Sequence, residues 1–480
     1  MEHGQLLLAG EWRPSLSGKT YQTINPANEE ISATIAEAGV EDADLAVQAA
    51  RAAFPAWAKA HPAERAKILW KMADLLDERA DEVSRLETLN TGKTWFDSRK
   101  VEIPMAAQVL RYYAGLATKI GGRTVPTWDK AFTLTLKDPL GVVAAIVPWN
   151  FPLLLAMWKL GPALAAGCTL IIKPASLTPL SLLALGKIAC DAGLPPGVLN
   201  ILTGPGGKVG NAIAGHPMVD KVAFTGSTQV GRGIAKLCAE SFKRVSLELG
   251  GKSPNIVLAD ADLDAAAQGA LTGIFYNKGE VCAAGSRLIV EKSVHDAFLD
   301  KLVTNVAKWK VGDPMEKGVR MGPVISKQQL DTVLGFVESG KQEGAKLVAG
   351  GQRLTIGSGK GFYVAPTIFD QATNQMRIAK EEIFGPVLTT ICADNFDDAL
   401  KLAHDTCYGL AAAVWTRDVS KALRAAKALR AGTIWVNTYN LYDPALPFGG
   451  FGESGIGREL GVEAIEGYLE TKSVWVNLDR

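Results

Sequence analysis

Several segments of the sequence carry side chains that could do chemistry, and the most reactive of these side chains is a cysteine. Cys282 lies among Gly279, Gly285 and Ser286 directly before a predicted strand, so turns are expected to shape its backbone. An accessible cysteine that reaches the thiolate form is a strong nucleophile. The chain has only five histidines, and none stands near Cys282 in the sequence. A hydrolase that pairs cysteine with histidine therefore stays open but has no support.

A glutamate at the end of a predicted strand could act as a general base. Glu248 stands between Leu247 and Leu249, where its carboxylate would be partly desolvated and its pKa would rise. A carboxyl group with a raised pKa suits proton abstraction near neutral pH. The alternative is a structural glutamate that accepts hydrogen bonds from backbone amides.

An asparagine ends the first strand of the α/β pattern. Asn150 follows the predicted strand Val142–Val147, and the carboxyl ends of strands in an open α/β sheet face the ligand crevice. Its side-chain amide could donate a hydrogen bond to a developing oxyanion. An Asx-turn before the next helix is the alternative.

Glycine-rich turns and three other residues could hold a nucleotide. Phe224–Gly231 and Gly204–Gly210 each follow a strand, where helix N-termini receive phosphates, although neither has the GxGxxG frame. Lys173 also ends a strand and could reach a phosphate or a ribose. Glu382 and Phe384, two residues apart, could clamp a ribose and stack on a ring. Turns without any ligand explain these features equally well at this level, and no complete P-loop for ATP is present.

Strands alternate with helices from Gly141 onward, which predicts βαβ units and the α/β fold class, with two halves that meet near Gly250–Gly251. The predicted strands are Val142–Val147, Thr169–Ile172, Val198–Leu202, Val222–Phe224, Val245–Leu247, Asn255–Leu258, Arg287–Val290, Ala411–Trp415 and Thr433–Val436. The predicted helices are Pro62–Leu89, Leu153–Ala166, Pro179–Ala192, Gly206–Ile213 and Thr228–Ala239. Two further strands, Thr133–Lys137 and Val474–Asn477, fall outside this alternation. They indicate either an arm that pairs with another subunit or an extra edge strand within the chain.

Composition excludes several classes of protein. A length of 480 residues predicts two or more domains. With Lys+Arg 51 against Asp+Glu 50, the net charge of +1 leaves no basic excess for nucleic acid. Six cysteines without a CxxC motif argue against disulfides and against a metal site. The uncharged segment Pro139–Trp158 is long enough for a membrane span, but its prolines divide it into a strand, a turn and a helix.

Seven motifs in order resemble the aldehyde dehydrogenase superfamily, specifically its hydrolytic, NAD(P)-dependent, broad-specificity members. They are PWNFP, KPAS, FTGST, LELGGKSPN, the segment around Cys282, EEIFGP and PFGGFGESGIGRE. The resemblance implies a Rossmann-like cofactor domain with a parallel sheet (residues 1–118 and 139–249) and a second α/β catalytic domain (250–450). It also implies a small β oligomerisation arm (119–138 and 465–480).

The resemblance also implies a mechanism. The residue matching Cys282 attacks the aldehyde, and the amide matching Asn150 holds the oxyanion together with the backbone N–H of the cysteine. Hydride transfer to nicotinamide leaves a thioester, which water activated by Glu248 hydrolyses. The presence of Glu248 argues against the CoA-acylating branch, and Lys159 and Glu459 match positions that assist proton movement. A non-catalytic protein on the same fold would lack one of the first three residues.

The same resemblance assigns cofactor positions. They are Trp149, Lys173, Ser176, Gly206, Gly210, Gly226, Ser227, Val230, Leu249, Glu382 and Phe384. Many NAD-preferring members have glutamate where this chain has Ser176, and serine removes the repulsion of a 2′-phosphate. We therefore expect the chain to use NAD or NADP.

The positions that match the substrate tunnel are apolar or aromatic. They are Leu155, Trp158, Tyr442 and Phe448, and they predict medium-chain aliphatic or aryl aldehydes such as phenylacetaldehyde. Betaine aldehyde or an aminoaldehyde is the alternative, because aromatic rings can hold an ammonium group. We expect a cytoplasmic homodimer or homotetramer that acts on a small-molecule aldehyde and binds neither nucleic acid nor membrane.

Overall fold

The computed structural model describes residues 3–479 and contains two large sheets, one three-stranded sheet and one two-stranded ribbon. The strands are β1 His3–Gly4, β2 Leu6–Leu8, β3 Glu11–Arg13, β4 Thr20–Ile24, β5 Ile31–Ala36, β6 Ala131–Pro139, β7 Val142–Ile146, β8 Thr169–Lys173, β9 Leu199–Ile201, β10 Lys221–Thr225, β11 Arg244–Glu248, β12 Pro254–Val257, β13 Arg287–Glu291, β14 Lys346–Ala349, β15 Thr367–Asp370, β16 Val387–Ala393, β17 Ala411–Trp415, β18 Thr433–Val436, β19 Gly455–Ile456 and β20 Leu469–Asn477.

Sixteen α-helices surround these sheets within the described residues. They are α1 Val40–Lys59, α2 Pro62–Glu78, α3 Ala80–Thr91, α4 Trp95–Asp97, α5 Ile103–Ala117, α6 Pro152–Ala166, α7 Leu180–Asp191, α8 Asn211–Gly215, α9 Thr228–Ala239, α10 Leu263–Phe275, α11 His295–Val306, α12 Lys327–Gln342, α13 Arg377–Lys380, α14 Phe396–His404, α15 Val419–Ala428 and α16 Gly461–Glu466. Within residues 3–479, no helix combines the length and the apolar character that a membrane crossing requires.

The first large sheet contains the parallel strands that the sequence predicts and that the resemblance assigns to a Rossmann-like cofactor domain. Its eight strands run β19-β11-β10-β7-β8-β9-β2-β3, and β9, β8, β7, β10 and β11 are parallel neighbours. Within the parallel part of the sheet, the chain enters at β7, adds β8 and β9 on one side, and then crosses to β10 and β11 on the other side of β7. A crevice for a ligand opens at the carboxyl ends of the strands where the strand order reverses in this way.

The second large sheet is also mostly parallel. Its seven strands run β14-β15-β16-β13-β12-β17-β18, with β14 alone antiparallel to its neighbour. The side chains of its central strands are buried, as in a sheet covered by helices on both faces. The α/β fold class is confirmed. The domain limits given above stay predictions, and residues 1, 2 and 480, which they include, lie outside the described residues.

The two strands left over in the sequence pair with each other. β6 and β20 form an antiparallel ribbon in continuous register from Ala131–Asn477 to Pro139–Leu469. The ribbon belongs to neither large sheet, so the alternative of an extra edge strand is wrong.

The predicted helix Pro62–Leu89 is two helices rather than one. Arg79 leaves helical geometry with φ −99° and ψ 16°, and the break lets α2 pack on α5 while α3 packs on α7. No glycine or proline marks this position, so tertiary packing decides it. α3 ends at Thr91, two residues beyond the predicted end at Leu89, and Gly92 closes it with φ 77°.

Candidate active site

The predicted site residues lie between two sets of strand ends. The first sheet contributes the carboxyl ends of β7, β8, β10 and β11, followed by residues 149–150, 173–176, 226–227 and 248–249. The second sheet contributes amino ends, because Cys282 precedes β13 and Glu382 and Phe384 precede β16. The two sets meet where the Gly251 N–H donates to Glu382 Oε1 at 3.1 Å. The site is therefore a cleft between the two sheets.

Glu248 is buried at the end of β11 with its carboxylate unused. Neither oxygen has a hydrogen-bond partner among the described residues, which argues against a structural glutamate bound to backbone amides. Burial first, and then the negative charge of Glu459, raise its pKa well above the ordinary value. A methyl group built on Gly449 would lie 2.8 Å from Glu248 Oε1, so the glycine leaves room beside the carboxylate. This group is suited to accept a proton.

Cys282 is half-buried and faces two carboxylates. Burial first, and then the charges of Glu248 and Glu382, raise the pKa of its thiol to about 12. The Glu248 carboxylate is therefore close enough to the thiol for its charge to act on it. Thiolate formation is therefore unfavourable in the free protein at neutral pH.

Asn150 is buried and oriented by a distant part of the chain. Asn150 Nδ2 donates to the carbonyl of Glu280 at 2.9 Å. The backbone carbonyl of Asn150 accepts from Asn277 Nδ2 at 3.2 Å. An Asx-turn would instead require a bond to the local backbone, so that alternative is wrong. The amide carries two protons, and one remains for a ligand.

Lys159 and Glu459 form a buried pair behind Glu248. Lys159 Nζ lies 2.5 Å from Glu459 Oε1 and donates to Thr225 Oγ1 at 2.7 Å. Thr225 is the register partner of Glu248 across β10 and β11. Glu459 Oε2 has no partner among the described residues. The pair is placed to influence the charge of Glu248, since Glu459 raises its pKa and Lys159 lowers it.

Lys173 and two predicted glycines form the part of the cleft next to β8. Lys173 Nζ is buried and donates to the carbonyl of Pro174 at 2.8 Å, and burial lowers its pKa to about 8. Methyl groups built on Gly206 and Gly210 would each lie 3.8 Å from this side chain. Ser176 Oγ donates to the carbonyl of Gly204 at 2.8 Å. The lysine, the serine and the glycine turn are therefore adjacent.

The turn after β10 begins α9. Ser227 caps this helix by accepting from the Val230 N–H at 3.3 Å, and Val230 is exposed. Close packing requires a glycine at position 226, because a methyl group on Gly226 would lie 2.5 Å from the Phe224 ring. A phosphate at this N-terminus would meet free N–H groups and the positive end of the helix dipole.

Glu382, Leu249, Phe384 and Trp149 close the other end of the cleft. A methyl group on Gly250 would overlap the Glu382 carboxylate, and burial raises the pKa of that carboxyl to about 7. Leu249 is buried against Gly231 of α9. Trp149 and Phe384 meet edge to face with ring centroids 5.1 Å apart.

Three of the four predicted tunnel residues form an aromatic cluster. The Trp158 ring lies 5.3 Å from Phe448 and 6.2 Å from Tyr442, and Tyr442 lies 5.6 Å from Phe448. Burial is the main cause that raises the pKa of Tyr442, and the charge of Cys282 is the second cause. The aromatic cluster is therefore near the thiol. Leu155 is buried one turn before Trp158 on α6.

Sequence reasoning missed a second aromatic pair. The rings of Phe151 and Tyr276 stack with centroids 6.0 Å apart, and the Tyr276 hydroxyl donates to Glu102 Oε1 at 3.4 Å. Lys93 Nζ lies 4.6 Å from the Phe151 centroid. Phe151 directly follows Asn150 in the motif PWNFP, and Tyr276 lies six residues before Cys282. These positions beside two candidate catalytic residues are the signal by which the pair could be predicted.

The cleft fits a dinucleotide. Lys173, the glycine turn at 206–210 and the N-terminus of α9 supply the cation and N–H groups that phosphates require. Glu382 supplies a carboxylate acceptor for ribose hydroxyls. No group of His, Cys, Asp and Glu side chains suited to hold a metal occurs within residues 3–479.

Comparisons with known proteins agree with this geometry. A model of the aldehyde dehydrogenase family matches residues 12–474. "Aldehyde dehydrogenase, cytosolic 1" from Mus musculus is 44% identical over 484 residues, which cover 100% of this chain and 96% of that relative. The NAD+ complex of an aldehyde dehydrogenase from Bacillus cereus is 47% identical with a TM-score of 0.98, over 100% of this chain and 97% of that chain. An indole-3-acetaldehyde dehydrogenase in complex with NAD+ is 46% identical with a TM-score of 0.97, over 99% and 97%.

Proposed function

Because this chain belongs to the aldehyde dehydrogenase family, we propose that it oxidises an aldehyde to a carboxylic acid through a thioester on Cys282. The Cys282 thiol releases its proton to solvent and takes one back when the acid leaves. Its thiolate forms a bond to the aldehyde carbon, and the carbonyl electron pair moves to oxygen. The free Nδ2 proton of Asn150 and the backbone N–H of Cys282 stabilise that oxyanion.

The second half of the reaction uses Glu248. When bound, NAD+ supplies the acceptor for the hydride, so one aldehyde, one NAD+ and one water give one carboxylate, one NADH and two protons. Glu248 takes a proton from the water that attacks the thioester, and the carbon–sulfur bond breaks to release the acid. The pair Lys159–Glu459 then accepts or returns the proton of Glu248.

One observation carries the proposal: a buried carboxylate without any hydrogen bond among the described residues acts electrostatically on a half-buried thiol. Leaving a buried acceptor unsatisfied costs about 1–3 kcal/mol, and more for a charged group. Proteins tolerate an unsatisfied buried group of this kind at functional sites, where the group interacts with a ligand. Glu248 is unpartnered in this way, and its charge raises the pKa of the Cys282 thiol.

The experiment is a comparison of two cysteine variants. Cys282→Ala should abolish NADH formation from aldehyde, whereas Cys407→Ala, which alters an exposed thiol, should leave it unchanged. Appreciable turnover by Cys282→Ala would refute the proposal.

For the cofactor, we propose NAD+ with tolerance of NADP+. The NAD+ complexes of the two solved relatives support NAD+. The Ser176 hydroxyl is half-buried beside Gly204 and carries no charge, so it does not repel a 2′-phosphate as a glutamate at this position would. Ser176→Glu should lower kcat/KM for NADP+ at least about tenfold and spare NAD+. A thousandfold preference of the unaltered enzyme for NAD+ would contradict dual use.

For the substrate, we propose medium-chain aliphatic or aryl aldehydes. The ring cluster of Trp158, Tyr442 and Phe448 and the stack of Phe151 on Tyr276 supply an apolar lining, and the relative that is an indole-3-acetaldehyde dehydrogenase supports an aryl substrate. Hexanal, phenylacetaldehyde and betaine aldehyde ranked by kcat/KM would test this. A first rank for betaine aldehyde would favour the cationic alternative.

We also propose a cytoplasmic homo-oligomer, a dimer or a pair of dimers. The relative named as cytosolic supports the location, and the separate ribbon of β6 and β20 supports the assembly. Location would be tested by fractionation of cells that produce the protein.

A further inference from the structure

The loop that leads into Cys282 contains a buried ion pair that the reaction above does not use. Lys278 Nζ lies 2.9 Å from Glu280 Oε2, and the exposed fractions of the two side chains are 1% and 0%. A buried ion pair is weak evidence for stability, because desolvation of both charges offsets their attraction. Stability alone therefore does not explain why the chain keeps this ion pair.

The backbone around the pair is strained. Asn277, Lys278 and Gly279 have φ values of 44°, 60° and 73° in succession. Non-glycine residues in the left-handed region cost free energy and persist only where the surroundings hold them. Two consecutive non-glycine residues of this kind therefore need an anchor.

The ion pair supplies two anchors on separate elements. Lys278 Nζ donates to the carbonyl of Thr91 at the end of α3, at 3.0 Å. Glu280 Oε1 accepts from the Ile325 N–H, two residues before α12, at 2.9 Å. The loop is thus tied on both sides of Gly279.

This anchored loop carries the carbonyl that orients the oxyanion donor. The Glu280 carbonyl accepts from Asn150 Nδ2 at 2.9 Å and from Asn277 Nδ2 at 3.2 Å. Because this bond takes one Nδ2 proton of Asn150, it also sets the direction of the other.

We propose that Lys278 and Glu280 are positioning residues for Asn150: their ion pair holds the left-handed loop so that the Glu280 carbonyl aims the free amide proton at the substrate oxygen. This inference rests on the proposed function, in which Asn150 stabilises the oxyanion. Neither side chain touches the substrate in this account.

The test measures the pre-steady-state formation of NADH per titrated active-site thiol. Lys278→Gln and Glu280→Gln should each slow it about 10- to 100-fold, since small displacements of a catalytic group have large effects on rate. The dissociation constant for NAD+ should stay within about twofold, because the change affects the transition state rather than binding. The double variant should be about as slow as the slower single variant, because both changes break the same ion pair.

A second comparison shows whether the pair acts through Asn150. In an Asn150→Ala background, Lys278→Gln should cause no further slowing, because residues that act as one unit are not additive. If a glutamine variant does not fold, Glu280→Asp keeps the charge and shortens the side chain, and it should slow NADH formation in the same direction.

Asp370→Asn is the matched control. It makes the same chemical change in another buried pair, where Asp370 Oδ1 lies 2.9 Å from His295 Nε2 at the carboxyl end of β15. It should lower thermal stability and leave the rate per thiol unchanged. Normal rates in both single glutamine variants, or additive losses with Asn150→Ala, would overturn the inference alone. A normal rate in Asn150→Ala itself would instead count against the proposed function.

Discussion

At the scale of single residues, the chemistry of the cleft depends on three acidic groups whose ionisation burial disfavours. Burial raises the pKa values of Glu248, Cys282 and Glu382, and the two carboxylates raise that of the thiol further. A raised pKa means that the thiol loses its proton only at higher pH. The free protein should therefore protect its nucleophile as the neutral thiol.

This protection predicts the pH dependence of alkylation. With a thiol pKa of about 12, the thiolate fraction grows about tenfold per pH unit, so inactivation by iodoacetamide should accelerate about 100-fold from pH 7 to pH 9. Loss of dehydrogenase activity reports the reaction at Cys282, and the Cys407→Ala variant should show the same profile. A rate that levels off below pH 9 would contradict the raised pKa.

At the scale of elements, the parallel strands of the first sheet could be predicted from the sequence, but β2, β3 and β19 at its edges could not. The second sheet could be predicted only in part, because β14, β15 and β16 were missed. Runs of β-branched residues locate β7, β8, β10 and β11 to within two residues, and the rule about carboxyl ends predicts which side chains face the crevice. Cys282 and Glu382 violate that rule, because the second sheet turns its amino ends to the site. The periodicity of the sequence does not predict that residues at the carboxyl ends of the first sheet and at the amino ends of the second sheet form one site. Only the resemblance to a family predicts it.

Glycines at the junction of the elements lead to a stability prediction. Gly279 has φ 73°, and a methyl group there would overlap the Gly385 carbonyl before β16. Gly318 has φ 83° with no atom within 4 Å of such a methyl group. Gly318→Ala should cost about 1 kcal/mol of unfolding free energy from backbone strain alone, whereas Gly279→Ala should cost at least about 3 kcal/mol through strain and overlap.

Thermal or denaturant unfolding of the two variants checks this difference. Equal losses of stability would show that the contact with Gly385 has no energetic weight, and that the loop of Cys282 is less tightly packed than the structure indicates.

At the scale of the whole molecule, the ribbon of β6 and β20 has an exposed apolar surface that a second subunit could cover. A two-stranded ribbon is marginally stable by itself. Trp475 on β20 is 62% exposed, and Trp128, three residues before β6, is 75% exposed. Their rings meet at 6.5 Å on the surface. Exposed apolar surface of this kind marks an interaction site.

We therefore expect Trp475→Arg to weaken self-association. Light scattering should show a smaller particle than the unaltered protein at the same concentration. Leu423→Arg, which changes a similarly exposed apolar residue on α15, should leave the particle unchanged. An unchanged mass for Trp475→Arg would mean that the subunits associate through another surface.

The central claim is the covalent division of labour between Cys282 and Glu248, and a trapped thioester tests it most directly. Glu248→Gln, mixed with NAD+ and phenylacetaldehyde and quenched in acid, should form about one NADH per site and then turn over slowly, because deacylation has lost its base. Peptide mass spectrometry should find the mass of the aldehyde less two hydrogens on the peptide that contains Cys282. NADH formation without that adduct, or an adduct on another cysteine, would contradict the account.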